Sequence, residues 1–174
     1  MSTQGSATGR AERLNALSEE DALASMLRCC GSTRWAEAMV EARPFPDEAT
    51  VEAAAARHFD ELTTLDWLEA FAHHPRIGDV SKLRERFAHS GDLSEKEQGH
   101  AMAAAQEEVI QALFELNQAY ERRHGHIFIV FATGKSAAEM KALLEARIGL
   151  PPELEIDHCA AEQKKITALR LSTL

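Results

Sequence analysis

Apolar positions recur along most of this chain at helical rather than strand spacing. Leu23, Met26, Leu27 and Cys30 follow i, i+3, i+4, i+7, which places them on one helix face. Ser18 precedes that stripe with Asp21 three residues on, a plausible start signal, and Gly31 ends it. Ser32 opens a second helix that carries Trp35 and Met39 and stops before Pro44 and Pro46. Asp47 caps a third, Ala-rich from Ala53 to Ala56 and reaching Phe59. A fourth carries Leu65, Leu68 and Phe71 and ends near His73, because Pro75 disfavours helical backbone at His74. A short helix around Lys82 to Phe87 follows. Ser94 then opens the longest element, in which Ala105, Val109, Leu113, Leu116 and Tyr120 keep helical spacing as far as Arg123, with Gly125 as the stop. At 1.5 Å per residue this helix of roughly 30 residues is about 45 Å long. Ser136 and Glu139 form a capping box for a helix to about Arg147; Gly149 and Pro151-Pro152 break the chain, and a last helix runs to about Arg170.

One stretch departs from this rhythm. Ile127-Phe128-Ile129-Val130-Phe131 is a continuous β-branched and aromatic run of strand length, yet no second run could pair with it. It is read as an extended segment, about 127–132, buried among helices. The pattern therefore predicts an all-α, single-domain bundle of about eight helices with one extended insert. A flexible lead-in over 1–12 precedes the domain, which occupies 13–174.

Composition narrows the function classes. The chain has 174 residues, of which 45% are hydrophobic and 27% charged, an ordinary globular balance that supports a core without staples. Its net charge is −9, and no basic run exceeds two residues, at Arg122-Arg123 and Lys164-Lys165. Nucleic acid and anionic membrane surfaces are disfavoured, since both need clustered Lys and Arg. No apolar run approaches a bilayer span of roughly 20 residues, and from the polar start no secretory leader is expected. Cys29, Cys30 and Cys159 are odd in number and form no C-x-x-C, which points to reduced thiols.

Candidate chemistry is sparse. Gly134-Lys135-Ser136 looks like the end of a phosphate loop, but the glycine required five residues earlier is Ile129. His73-His74 and His124-x-His126 lack the i, i+4 spacing that puts two imidazoles on one helix face, so no metal site is expected. His74-Pro75-Arg76-Ile77-Gly78 is more informative. Pro75 and Gly78 make a rigid corner that would hold an imidazole in one orientation, as general acid–base chemistry requires. A histidine favoured by a helix C-terminus fits the same residues. Ser94-x-x-Glu97-Gln98 reads equally as a capping box and as a helix start offering N–H donors to an anion. Arg170, between Leu169 and Leu171, is either a surface residue or a fork for a carboxylate.

The ordered set is more specific than any member. Cys30-Gly31-Ser32-x-x-Trp35, Arg43-Pro44-Phe45, His74-Pro75-Arg76-Ile77-Gly78, Ser94-x-x-Glu97-Gln98, Asn117-x-x-Tyr120, Gly125-x-Ile127-Phe128-Ile129 and Leu169-Arg170-Leu171 run in order over most of the chain. Together they resemble the 2-oxo-4-hydroxy-4-carboxy-5-ureidoimidazoline (OHCU) decarboxylase family, whose reaction ends the uricase route from urate to (S)-allantoin. The resemblance implies an all-helical carboxy-lyase that needs no cofactor and no metal, because a ring C=N beside the carboxylated carbon accepts the electron pair when CO2 leaves. It implies His74 as acid/base and Glu97 as its hydrogen-bonding partner at the substrate hydroxyl or ring. Ser94 and Gln98 would position the ureido and ring groups, and Arg170 would clamp an anionic or carbonyl edge. Pro75 and the Phe128-Ile129 backbone complete the expected substrate contacts. The implied partner is the small-molecule substrate, with homodimer assembly common in the family. Ser172-Thr173-Leu174 is not a Ser-Lys-Leu peroxisomal address, so a cytoplasmic location is expected. The alternative from another class is a helical ligand-binding or interaction module of the same fold without turnover.

Overall fold

The computed structural model describes residues 9–88 and 99–174, and the side-chain surroundings of 9–88 and 103–174. Among the described residues the chain is all-α, with nine helices and no strand. In order they are α1 (Arg10–Ala16), α2 (Glu19–Cys29), α3 (Thr33–Glu41), α4 (Glu48–Asp60), α5 (Thr64–Ala72), α6 (Val80–Phe87), α7 (Gly99–His124), α8 (Ala137–Ile148) and α9 (Pro152–Ser172). Two compact units emerge. One is the chain through His74 together with Ala160–Leu174, and the other is Pro75–Cys159.

The helix starts follow from local chemistry. Ser18, Ser32 and Asp47 each accept from the backbone N–H three residues on, at 3.1, 3.3 and 2.8 Å, which satisfies one otherwise orphaned donor per helix. Ser136 and Glu139 form the reciprocal capping box that their spacing predicts. Thr63 and Asp66 form another at α5. Gly125 takes the positive φ of 76° that ends α7.

In the first unit, α1 begins at Arg10, inside the stretch expected to be a lead-in. Arg10 pairs with Glu48 (2.6 Å) and Glu52 (3.1 Å), and Glu48 also accepts from the Ala11 N–H, so α4 fixes these residues. The core is an aromatic ladder. Trp35 stacks on Phe59 at 5.2 Å, Phe59 on Trp67 at 5.5 Å, and Trp67 on Phe71 at 6.3 Å. Such pairs add about 0.5–1.5 kcal/mol each beyond their buried area. The buried face of α5 is thus Trp67, Ala70 and Phe71, and Leu65, expected on the apolar stripe, is 76% exposed. Arg43 donates to the Leu14 and Leu17 carbonyls while Asn15 and Phe45 exchange two hydrogen bonds, which locks the Arg43-Pro44-Phe45 turn onto the end of α1.

In the second unit, Leu83 and Phe87 of α6, Ile110 and Leu113 of α7, and Ala137 and Met140 of α8 form the core. Phe128 and Val130 pack against it. Residues 127–132 are neither helix nor strand, matching the extended insert read from the sequence.

Candidate functional site

His74 lies directly after α5, where its N–H donates to the Phe71 carbonyl. The Pro75 ring stops the helix there, as the corner in the sequence requires. The imidazole is half-buried, and its Nε2 lies 2.6 Å from Gln163 Oε1. Gln163 is fully buried on α9, and its Nε2 donates to Thr167 Oγ1 at 3.2 Å. Burial depresses the His74 pKa below its ordinary 6.5; Arg170 and His73 push in the same direction, against the Gln163 bond. The ring is therefore neutral near pH 7, the form that can take a proton.

Arg170 lies seven residues beyond Gln163 on the same helix face. Its Nη1 donates to the carbonyls of Arg28 (3.3 Å) and Cys29 (3.2 Å) at the end of α2. A hollow of about 530 Å³ opens there, lined by Leu27, Arg28, Gly31, Ala70, His73 and Arg170. Arg28 and Arg170 among its lining residues make it a locally cationic site on a chain of net charge −9, which suits a small anion. Gly31 is needed for the shape of its wall. A Cβ at that position would come within 2.3 Å of His73 Cγ and 2.4 Å of its Cβ, so the His73 side chain occupies the room glycine leaves.

The first unit thus brings together His74 and Arg170 of the residues expected from the sequence. Phe128, Ile129 and Pro75 belong to the second unit. Pro75 is exposed. Phe128 is half-buried with the Arg147 guanidinium 4.5 Å above its ring, and Tyr120 meets it edge-on at 5.2 Å. Ile129 is buried, and its carbonyl accepts from Arg147 at 2.9 Å. Ser94, Glu97 and Gln98 lie outside the described residues.

Sequence reasoning assigned no site role to His73 and overlooked Arg28, Gln163 and Thr167. The spacing of Gln163, Thr167 and Arg170 (i, i+4, i+7) was a legible signal of one polar helix face. It also overlooked a buried polar knot in the second unit. There Arg147 holds Glu155 at 2.5 Å, Tyr120 donates to Glu155 at 2.5 Å, and Cys159 Sγ lies 3.2 Å from Arg147. Burial alone would raise the Glu155 pKa, but Arg147 and Tyr120 hold it down. The thiols are free and buried, and burial pushes Cys29 and Cys159 up to about 11, so neither is poised as a nucleophile. Among the described residues no group of three or more His, Cys, Asp or Glu gathers at metal-binding distance, and no helix is long and apolar enough to cross a membrane.

The histidines set an acid limit on stability. Burial lowers both His74 and His126; Arg170 and His73 add to this at His74, and His124 and Arg147 at His126, while the Gln163 bond at His74 and the Ile127 carbonyl and Glu155 at His126 oppose it. The unfolded chain then binds protons that the native state resists, so stability is full above 6.5 and declines as pH falls through 6.5 toward the depressed native values. The capping carboxylates Asp47 and Asp66, themselves held low by the hydrogen bonds they accept, fail only at pH values lower still. Thermal melts should show Tm falling between pH 7 and pH 5.5, with a smaller fall in His126→Phe. A Tm that rises over that interval would contradict the assignment.

Comparison with known proteins adds an independent line. A sequence profile described as OHCU decarboxylase matches residues 15–172. The uric acid degradation bifunctional protein TTL of Arabidopsis thaliana is 36% identical over 148 residues, which is 84% of this chain and 45% of that protein. The chain therefore spans less than half the length of this relative. A crystal structure of OHCU decarboxylase in the presence of (S)-allantoin superposes with a TM-score of 0.67 at 30% identity, covering 90% of this chain and 97% of that one. An (S)-allantoin synthase structure shares the fold, with a TM-score of 0.66 at 18% identity over 94% of this chain and 53% of that one.

Proposed function

Because this chain belongs to the OHCU decarboxylase family, we propose that it catalyses the decarboxylation of OHCU to (S)-allantoin and CO2 in urate catabolism. The observation that carries the reading is the pairing, within one unit, of a half-buried neutral His74 with an Arg170-lined cationic hollow. The hollow provides charge complementarity for the substrate carboxylate, and His74 provides an acid/base near neutral pH. Family membership over 15–172 and the likeness to an OHCU decarboxylase solved with (S)-allantoin support the same assignment.

The chemistry asks little else of the protein. When the carbon–carboxylate bond breaks, its electron pair moves toward the ring C=N, whose nitrogen takes a proton. The substrate hydroxyl then loses its proton as its carbon becomes a carbonyl, and the neighbouring ring carbon gains one from a single face. Net, one proton replaces CO2. His74 is the proposed carrier between hydroxyl and ring carbon, with Glu97 beside it; Ser94, Gln98, Pro75 and the Phe128-Ile129 backbone are the remaining proposed contacts. The family resemblance supports a cofactor-free enzyme and suggests a homodimer, the assembly common in the family; the cytoplasmic location is proposed from the C-terminal Ser172-Thr173-Leu174, which is not a peroxisomal address. Freshly generated OHCU should disappear faster with the protein than in buffer, and full turnover should survive chelator treatment. Identical decay with and without protein would reject the proposal.

A further inference from the structure

The hydrogen-bond chain behind His74 determines which of its nitrogens carries the proton. Thr167 Oγ1 lies 2.9 Å from the Gln163 carbonyl and 3.3 Å from the Cys29 carbonyl. Both partners only accept, so the hydroxyl hydrogen is committed to a carbonyl and a lone pair remains facing Gln163. The Gln163 amide must then present its NH2 to Thr167 and its oxygen to His74. An oxygen 2.6 Å from Nε2 requires a hydrogen on Nε2. Arg170 donates to the same Cys29 carbonyl, so one backbone oxygen anchors both the relay and the guanidinium of the hollow.

We propose that Gln163 is a positioning residue that holds neutral His74 as its Nε2–H tautomer, leaving the Nδ1 lone pair as the proton acceptor. The inference rests on the decarboxylase reading for its catalytic meaning, though the tautomer itself does not. In the proton step the substrate O–H bond breaks, its electron pair stays to form the carbonyl, and the proton goes to Nδ1. The imidazolium then has protons on both nitrogens, with the Nε2 proton held by the Gln163 oxygen, and Nδ1 passes its proton to the neighbouring ring carbon. An amide suits this task better than a carboxylate. It orients the ring without adding a negative charge, so the imidazolium stays acidic enough to release its proton to carbon. Among the described residues, the charged and titratable neighbours acting on the ring are Arg170 from α9 and His73 beside it, and both disfavour the imidazolium; the Glu97 proposed beside the ring lies outside the described residues.

Long-range 1H–15N correlation spectra of the full ¹⁵N-labelled protein near pH 7.5 read the tautomer without any variant. Wild-type His74 should show a protonated Nε2 and an unprotonated Nδ1; a majority Nδ1–H form would overturn the inference. Gln163→Leu should mix the tautomers and lower kcat at least about tenfold with KM little changed. The near-isosteric Gln163→Glu should keep the Nε2–H form but raise the His74 pKa, moving the acid limb of the kcat/KM profile up by about one pH unit. An unaltered kcat in Gln163→Leu, or an unmoved acid limb in Gln163→Glu, would remove the positioning role. Absence of OHCU turnover in the wild type would instead defeat the decarboxylase reading, and the spectra would still decide the tautomer.

Discussion

Glu155→Leu should destabilise the protein by about 3–5 kcal/mol, because it leaves the Arg147 guanidinium buried without its counter-charge. Glu155 is 0% and Arg147 8% exposed, so water cannot replace the lost partner. The three Arg147–Glu155 hydrogen bonds at 3.0, 3.2 and 2.5 Å would vanish together with the Tyr120 bond, and Tyr120 is itself fully buried. For a chain of this size the loss corresponds to a fall in Tm of roughly 10 °C. The charge, rather than the packing, is the reason for the size of the effect. The double variant Arg147→Met/Glu155→Leu should therefore recover much of the loss, since it removes both ions at once. Chemical denaturation of the three proteins checks this, and a double variant less stable than Glu155→Leu would show that packing dominates instead.

His74→Ala should lower kcat at least about 10²-fold, the usual contribution of a positioned acid/base. The ring is half-buried and neutral near pH 7, and its Nε2 is engaged by Gln163, so no solvent molecule would reproduce both its orientation and its acidity. His73→Ala is the informative control. His73 is exposed and packs on Gly31 at the wall of the hollow, so its loss should act on KM more than on kcat. Steady-state kinetics on freshly generated OHCU separate the two, and equal falls in kcat would reject the assignment of His74.

Local signals made most of the fold legible. Ser18, Ser32, Asp47 and Ser136 cap helices because each side chain reaches the backbone N–H three residues on, a relation contained within a few residues. The non-helical 127–132 run was legible from another local signal, its continuous β-branched and aromatic composition. α1 was not, because its seven residues are held by the distant Glu48 and Glu52 rather than by a cap of their own. Leu65 was misplaced because Trp67 and Phe71 set the buried face of α5 through the aromatic ladder.

Of the candidate site, the corner that ends α5 just before His74 was legible, because Pro75 disfavours helical backbone at the residue before it; the roles proposed for His74 and Arg170 rest on the ordered motifs. The meaning of Gly31 depended on His73, 42 positions away, occupying the space a Cβ would need. The Arg147–Glu155–Tyr120 knot was invisible for a related reason. Charged residues on helices are solvated far more often than buried, and nothing local links position 120 to 155.

The most direct test of the account is the handedness of the product. Circular dichroism of a reaction started with freshly generated OHCU should show the signal of (S)-allantoin growing in proportion to protein concentration. His74→Ala should cut the initial rate of that growth at least about 10²-fold. Optically silent, racemic allantoin appearing at the buffer rate would contradict it.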